Sequence, residues 1–196
     1  PQAAGLKQEQ RVRLAKWLAA EEDAKRDAWI TERACRGETA VSPAGRENWG
    51  LGRTNARHVA ATRISRRNVD RLELQWSIAL PAVTTMRSQP VVAGDTVFLG
   101  SKGGHLLALD RRSGCVRWSL KTEAPVHSAL TLDRTPDGIA TLFFADEMAL
   151  VYAVDATRGT VRWRERVKWF PTSIVSGPIT FHDGLLYVPL SSFEVA

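Results

Sequence analysis

Beyond residue 70 the apolar positions fall into short runs, and each run ends at a turn signal, which is the texture of a β domain. Residues 72–80 (LELQWSIAL) predict a strand. Residues 89–101 (QPVVAGDTVFLGS) predict two strands around Gly94-Asp95. Residues 105–118 (HLLALDRRSGCVRW) read as strand, turn and strand, with Asp110 to Gly114 in the turn. Further runs follow at 140–146, 150–167 and 176–192. In the last of these, Asp183-Gly184 between apolar residues signals a two-residue hairpin. The N-terminal part has a different period. Residues 6–30 place Leu14, Trp17 and Leu18 at i, i+3 and i+4 and contain no Gly or Pro, which predicts one amphipathic helix with a break near Glu22. Residues 35–57 are dominated by Gly, Asn, Pro and Arg and predict an irregular connector.

Two of the runs are copies of each other. Residues 105–118 and 150–163 (LVYAVDATRGTVRW) share six of fourteen positions: Ala108/Ala153, Asp110/Asp155, Gly114/Gly159, Val116/Val161, Arg117/Arg162 and Trp118/Trp163. The second copy starts 45 residues after the first, and Trp76 precedes Trp118 by 42. A period of this length, filled by four short strands, is the signature of propeller blades. The shared residues have physical roles. The Asp ends a strand and can bond the turn backbone. The Gly supplies the left-handed conformation. The Trp offers a flat surface to a neighbouring blade. The chain holds about two copies and the start of a third, so it is expected to be a partial propeller, truncated at both ends, with open edges. The expected organisation is a helical segment at 1–34, a connector leading into the propeller at 35–71, and the first blades at 72–196.

Composition changes this picture little. The chain has 196 residues, 44% hydrophobic and 24% charged, as folded domains do. The net charge of +6 is spread in runs of no more than two basic residues, and no basic strand is interleaved with aromatics, which argues against nucleic-acid binding. No apolar run is long enough to span a membrane, and no export signal is visible. Cys35 and Cys115 are too far apart for a CxxC pair, which leaves one bridge or two thiols equally open.

The repeat "ALD…SG…W" resembles the pyrroloquinoline quinone repeat of quinoprotein dehydrogenases. The connector adds to the resemblance through Trp49, Gly50, Asn55, Arg57, Asn68, Val69, Leu72 and Trp76. Ser113-Gly114-Cys115 and the closing YVPLSSFE are closest to the polyvinyl-alcohol dehydrogenase branch. The resemblance implies an all-β fold: two to three four-stranded blades of an eight-bladed ring behind an N-terminal helix. It implies oxidation of an alcohol by pyrroloquinoline quinone with Ca²⁺, electrons passing to cytochrome c, and a periplasmic location. In that branch a cytochrome c domain precedes the propeller, and residues 5–21 resemble its last helix. The CxxCH haem motif is absent, so haem c is implied only if a cytochrome lies upstream.

The same resemblance nominates site residues. Glu194, after the Ser191-Ser192 pair, is the candidate Ca²⁺ ligand. Ser176 and Thr172 are candidate hydroxyl donors to the cofactor, with Val175 where the family usually has Thr. Arg87 could pair a cofactor carboxylate. His127 stands where the branch often shows Arg, and a neutral imidazole would lose the fixed charge. His58, His105 and His182 have no metal-like spacing. Trp169 is read as packing at a blade edge, with a stacking platform as the other use. The vicinal cysteine pair, the later-blade Asp base and the opposing Trp of the family are all missing, so this chain alone is expected not to turn over substrate. The competing reading is a non-catalytic propeller scaffold, such as the outer-membrane assembly lipoprotein with the same repeats.

Overall fold

The computed structural model describes residues 7–36, 41, 56, 58, 62–81 and 83–192. The chain forms two compact units, residues 1–33 and 34–196.

The first unit is a single helix, α1 (Gln8–Glu32). It runs without the expected break at Glu22, because nothing near that position removes a backbone donor or favours a kink. A Glu21–Lys25 ion pair at 2.9 Å spans the neighbouring turn. Leu14 and Trp17, on the expected apolar face, are exposed.

The second unit is built from four-stranded antiparallel sheets. Strands β1 (Val91–Ala93), β2 (Thr96–Ser101), β3 (His105–Asp110) and β4 (Val116–Lys121) form the first in sequence order. Strands β5 (Thr131–Arg134), β6 (Ala140–Ala145), β7 (Leu150–Asp155) and β8 (Val161–Arg166) form the second in the same order. Four short strands follow: β9 (Ser173–Ile174), β10 (Thr180–His182), β11 (Leu185–Tyr187) and β12 (Ser191–Ser192). Strand β10 pairs with β11 across Asp183-Gly184, where both residues have positive φ, as the dipeptide predicts. Strand β5 was not foreseen, because its four residues are too few to show a period.

Residues 72–80 are extended chain outside the named strands, contrary to expectation. The apolar pattern of LELQWSIAL reports what a strand would bury, and a strand also needs a regular ladder with its neighbour.

The two full sheets pack face to face. Phe98, Leu106 and Ala108 from the first sheet share a core with Leu132, Leu142, Phe144 and Tyr152 from the second. On the other face of the second sheet, Phe143, Ala145, Val151 and Ala153 pack with Val175 and Ile179. Strands β6 and β7 are therefore buried along their whole length, whereas β8 is largely exposed.

The repeated residues make one joint twice. Asp110 Oδ1 accepts from the backbone N–H of Arg112 (3.0 Å) and Ser113 (2.8 Å), and Asp155 Oδ1 accepts from Thr157 (2.8 Å) and Arg158 (3.1 Å). Gly114 and Gly159 both have φ +71°. Each glycine lies under a tryptophan of the preceding repeat. A Cβ on Gly114 would stand 2.6 Å from the Trp76 indole, and one on Gly159 would stand 2.6 Å from that of Trp118. Trp76 Nε1 donates to Arg111 O (2.9 Å), and Trp118 Nε1 donates to Ala156 O (3.2 Å). Trp76 thus joins the first sheet from a segment that lies outside the named strands.

Arg117 Nη2 binds Asp110 Oδ2 at 2.6 Å and Asp95 Oδ2 at 2.9 Å. Arg117 and the turn amides hold the Asp110 carboxyl well below the usual carboxylate range. A carboxylate depressed on folding contributes its stability fully above its unfolded value, near 4, and loses it as pH falls toward the folded value. Thermal midpoints measured from pH 7 down to pH 2 should therefore fall below about pH 4. Asp110→Asn should start lower and fall less steeply over that interval, and parallel pH curves for the two proteins would remove Asp110 from the account.

Cys35 and Cys115 form a disulfide with Cα atoms 5.0 Å apart. The bridge resolves the alternative that spacing had left open. Backbone contacts flank it: Ala34 pairs with Val116, and Cys35 N–H donates to Val116 O at 2.9 Å.

Candidate functional site

In an antiparallel sheet of this order, the start of the first strand, the turn between the second and third, and the end of the fourth lie at one end. In the first sheet that end carries Arg87 and Ser88, ahead of β1, and Lys102 in the β2–β3 turn. In the second it carries His127, ahead of β5, and Glu147 in the β6–β7 turn. The same end of the β10–β11 hairpin is flanked by the segments holding Thr172, Ser176, Ser191 and Ser192. The inner strands are neighbours. Leu130 N–H donates to Gln89 O at 3.5 Å, and Thr131 Oγ1 donates to Ile179 O. The residues nominated from sequence that fall within the described part thus come from connections at equivalent ends of successive sheets.

Two nominated groups are brought together by a pairing the sequence did not show. Strand β9 pairs with β12, Ser173 opposite Ser192 and Ile174 opposite Ser191. Ser176 Oγ lies 3.4 Å from Ser191 Oγ. Both hydroxyls are exposed, while Val175 between them and the core is fully buried. Gly177 lets this segment pass Pro189 closely, since a Cβ there would meet the proline ring at 3.1 Å. Thr172 is exposed in the turn before β9, where Phe170 N–H donates to Ser173 Oγ at 2.8 Å. Trp169 does not pack at a blade edge among the described residues: it is 79% exposed, in the turn before β9. Glu194 lies outside the described residues, as do Trp49, Gly50, Asn55 and Arg57. Among the described residues, no three His, Cys, Asp or Glu side chains converge on a possible metal position.

The connections around His127 hold the buried polar chemistry. Its side chain is 9% exposed, and Nδ1 lies 3.0 Å from Glu147 Oε1. Burial pushes the imidazole below its ordinary range, Glu147 opposes this, and Lys102 and Arg87 add to it. Arg87 itself is exposed. Next to Glu147, Asp146 is fully buried. It accepts from the N–H of Met148 (2.9 Å) and Leu150 (3.1 Å) and from the Tyr152 hydroxyl (3.2 Å). Burial raises its carboxyl and holds the Tyr152 hydroxyl up at about 12. The roles of Asp146, Glu147 and Ser88 had no signal in sequence, since each depends on a neighbour from another connection.

Residues 46–140 match the family described as PQQ, the glucose/ethanol/alcohol dehydrogenase β-propeller domain. The chain is 32% identical over 147 residues, 74% of its length, to a polyvinylalcohol dehydrogenase of Pseudomonas sp. In repeat and fold the chain resembles the quinoprotein dehydrogenase β-propellers. A polyvinylalcohol dehydrogenase of Sphingopyxis sp. (strain 113P3) is 30% identical over the same length. The chain spans 23% and 22% of these two relatives, so it corresponds to under a quarter of each. Solved structures carry the same fold. A europium-containing methanol dehydrogenase superposes with TM-score 0.64 at 19% identity, covering 79% of this chain and 28% of that one. The quinohemoprotein alcohol dehydrogenase ADHIIG from Pseudomonas putida HK5 gives 0.65 at 16% identity, covering 82% and 25%. The partial propeller expected from the repeat is thus the architecture of this chain. Among the described residues, no helix is long and apolar enough to cross a membrane.

Proposed function

We propose that this quinoprotein chain is the opening part of a pyrroloquinoline quinone-dependent alcohol dehydrogenase acting on secondary or polymeric alcohols, with electrons passing to a cytochrome c. The observation that carries the proposal is the 147-residue match to two polyvinylalcohol dehydrogenases.

The side chains at this end of the sheets suit the cofactor. A tricarboxylate wants cations and hydroxyl donors. Arg87 and Lys102 supply the first, and Ser176, Ser191 and Ser192, with Thr172 beside them, supply the second. Two buried polar atoms, Ser88 Oγ and His127 Nε2, have no hydrogen-bond partner among the described residues. Glu194, two residues beyond β12 in sequence, would offer a carboxylate to Ca²⁺, a hard cation that takes oxygen ligands. When bound, the quinone would accept the two electrons of alcohol oxidation. The chain's own part is to orient its carboxylates and to place a cation at one edge.

The Cys35–Cys115 bridge supports a periplasmic location, since disulfides persist in oxidising compartments. A cytochrome c domain upstream of the helix, carrying haem c, belongs to the same proposal.

Titration of the chain with pyrroloquinoline quinone, with and without Ca²⁺, tests the reading. The expected result is Ca²⁺-dependent binding in roughly the micromolar range, lost on Glu194→Ala. Absence of binding, both in the folded chain and in one extended through the remaining blades, would overturn it.

A further inference from the structure

His127 is held by one ring nitrogen and left open at the other. Glu147 carboxylate stands at Nδ1, so the neutral ring carries its proton there and bears a lone pair at Nε2. Nε2 is buried and meets no hydrogen-bond partner among the described residues. A second orphan lies nearby. Ser88 Oγ would be 2.7 Å from a Cβ on Gly100, which would also touch Val126, the residue before His127. Buried polar atoms normally find partners, so two orphans among these connections point to a group that the described residues do not supply.

The charges around the ring say what that group is. Arg87 comes from ahead of β1, Lys102 from the β2–β3 turn and Glu147 from the β6–β7 turn. Asp146, beside Glu147, is turned instead onto Tyr152 and the turn amides. Protonating the ring adds a third cation to Arg87 and Lys102 and converts Nε2 from a bare acceptor into a donor with nothing to receive it. A carboxylate placed there removes both penalties. It receives the new N–H and neutralises the cationic cluster. Protonation and anion binding are each unfavourable alone and favourable together, which is a coupling between two ligands.

We propose that His127 is a proton-linked anion-binding group: a carboxylate seated against His127, Arg87 and Lys102 binds with uptake of one proton by the imidazole. The inference rests on the cofactor reading above, and the carboxylate it assigns is one of those on the quinone. Occupancy of the site then depends on pH. A fixed arginine at this position would bind the same group at any pH, and here Glu147 and His127 replace that constant with a switch.

The test is an NMR titration of the His127 imidazole in the whole chain, alone, with pyrroloquinoline quinone, and with benzene-1,3,5-tricarboxylate. Both ligands should raise the midpoint of His127 by about one pH unit or more. Quinone affinity, read by calorimetry, should weaken about tenfold per pH unit between the free and bound midpoints. His127→Gln should bind weakly and His127→Arg tightly, neither with a pH slope. Quinone that binds while the His127 midpoint stays fixed overturns the proton linkage and leaves the cofactor reading standing. A midpoint raised by the tricarboxylate but not by the quinone keeps the linked anion site and removes the cofactor. A midpoint that moves with neither ligand overturns the inference. The wild-type titration decides among these outcomes even if a variant fails to fold.

Discussion

Reducing the Cys35–Cys115 disulfide, or replacing both cysteines with serine, should lower the stability of the propeller unit by about 2–4 kcal/mol. The bridge joins residues 80 apart in sequence. The loop it closes contains the whole connector, residues 72–80 and the first three strands of the first sheet. Cross-linking such a long segment removes much of the freedom of the unfolded chain, roughly 4 kcal/mol in the loop-entropy account. In the folded state the cross-link fixes Ala34 and Cys35 on the outer strand β4, with a backbone bond from Cys35 N–H to Val116 O. Urea midpoints with and without dithiothreitol measure the effect. The serine variant should match the reduced protein and be insensitive to reductant. An unchanged midpoint would show that the connector is held by its other contacts.

The second large effect is expected at the joint between sheets. Trp118→Ala should cost about 3 kcal/mol, because it opens a cavity against Gly159 and Phe98 and leaves Ala156 O without its indole donor. Gly159→Ala should be destabilising for two reasons. The residue has φ +71°, which costs an L-amino acid about 1–2 kcal/mol. Its Cβ would also stand 2.6 Å from the Trp118 ring, where overpacking costs about 1–3 kcal/mol more. The double variant discriminates the two reasons. Without the indole the added methyl has nothing to strike, so the combined loss should be smaller than the sum of the single losses. Strict additivity, measured by chemical denaturation of all four proteins, would show that glycine is needed there for its backbone alone. Gly138, with φ +81° and open space around it, is the control for the backbone part.

Much of the fold was legible because its signals are local. Asp110, Gly114 and Trp118 recur as Asp155, Gly159 and Trp163, and each member acts through bonds or dihedrals within a few residues or through a joint that repeats. The Asp183-Gly184 hairpin was legible for the same reason. Residues 72–80 misled because an apolar pattern reports what a strand would bury and not whether a regular ladder forms. The continuous helix misled at Glu22 because composition alone supplied no breaker there, and none was needed.

The candidate site was legible only as a set of separate short motifs. The resemblance picked out Ser176 and Ser191, and the β9–β12 pairing placed their hydroxyls 3.4 Å apart. Sequence noted His127 as a neutral replacement for an expected charge. Only the meeting of four connections put Glu147 at its Nδ1, left Nε2 without a partner among the described residues, and set Arg87 and Lys102 around it.

The sequence by itself determined the period, the turns and the residues of the joint, because these depend on φ, side-chain size and spacing within one repeat. The tertiary structure alone decided that the two cysteines meet, that β9 finds β12, that residues 72–80 lie outside the named strands, and which groups surround His127. Each of those outcomes depends on distances between segments far apart in the chain, and no local pattern encodes a distance that only packing sets.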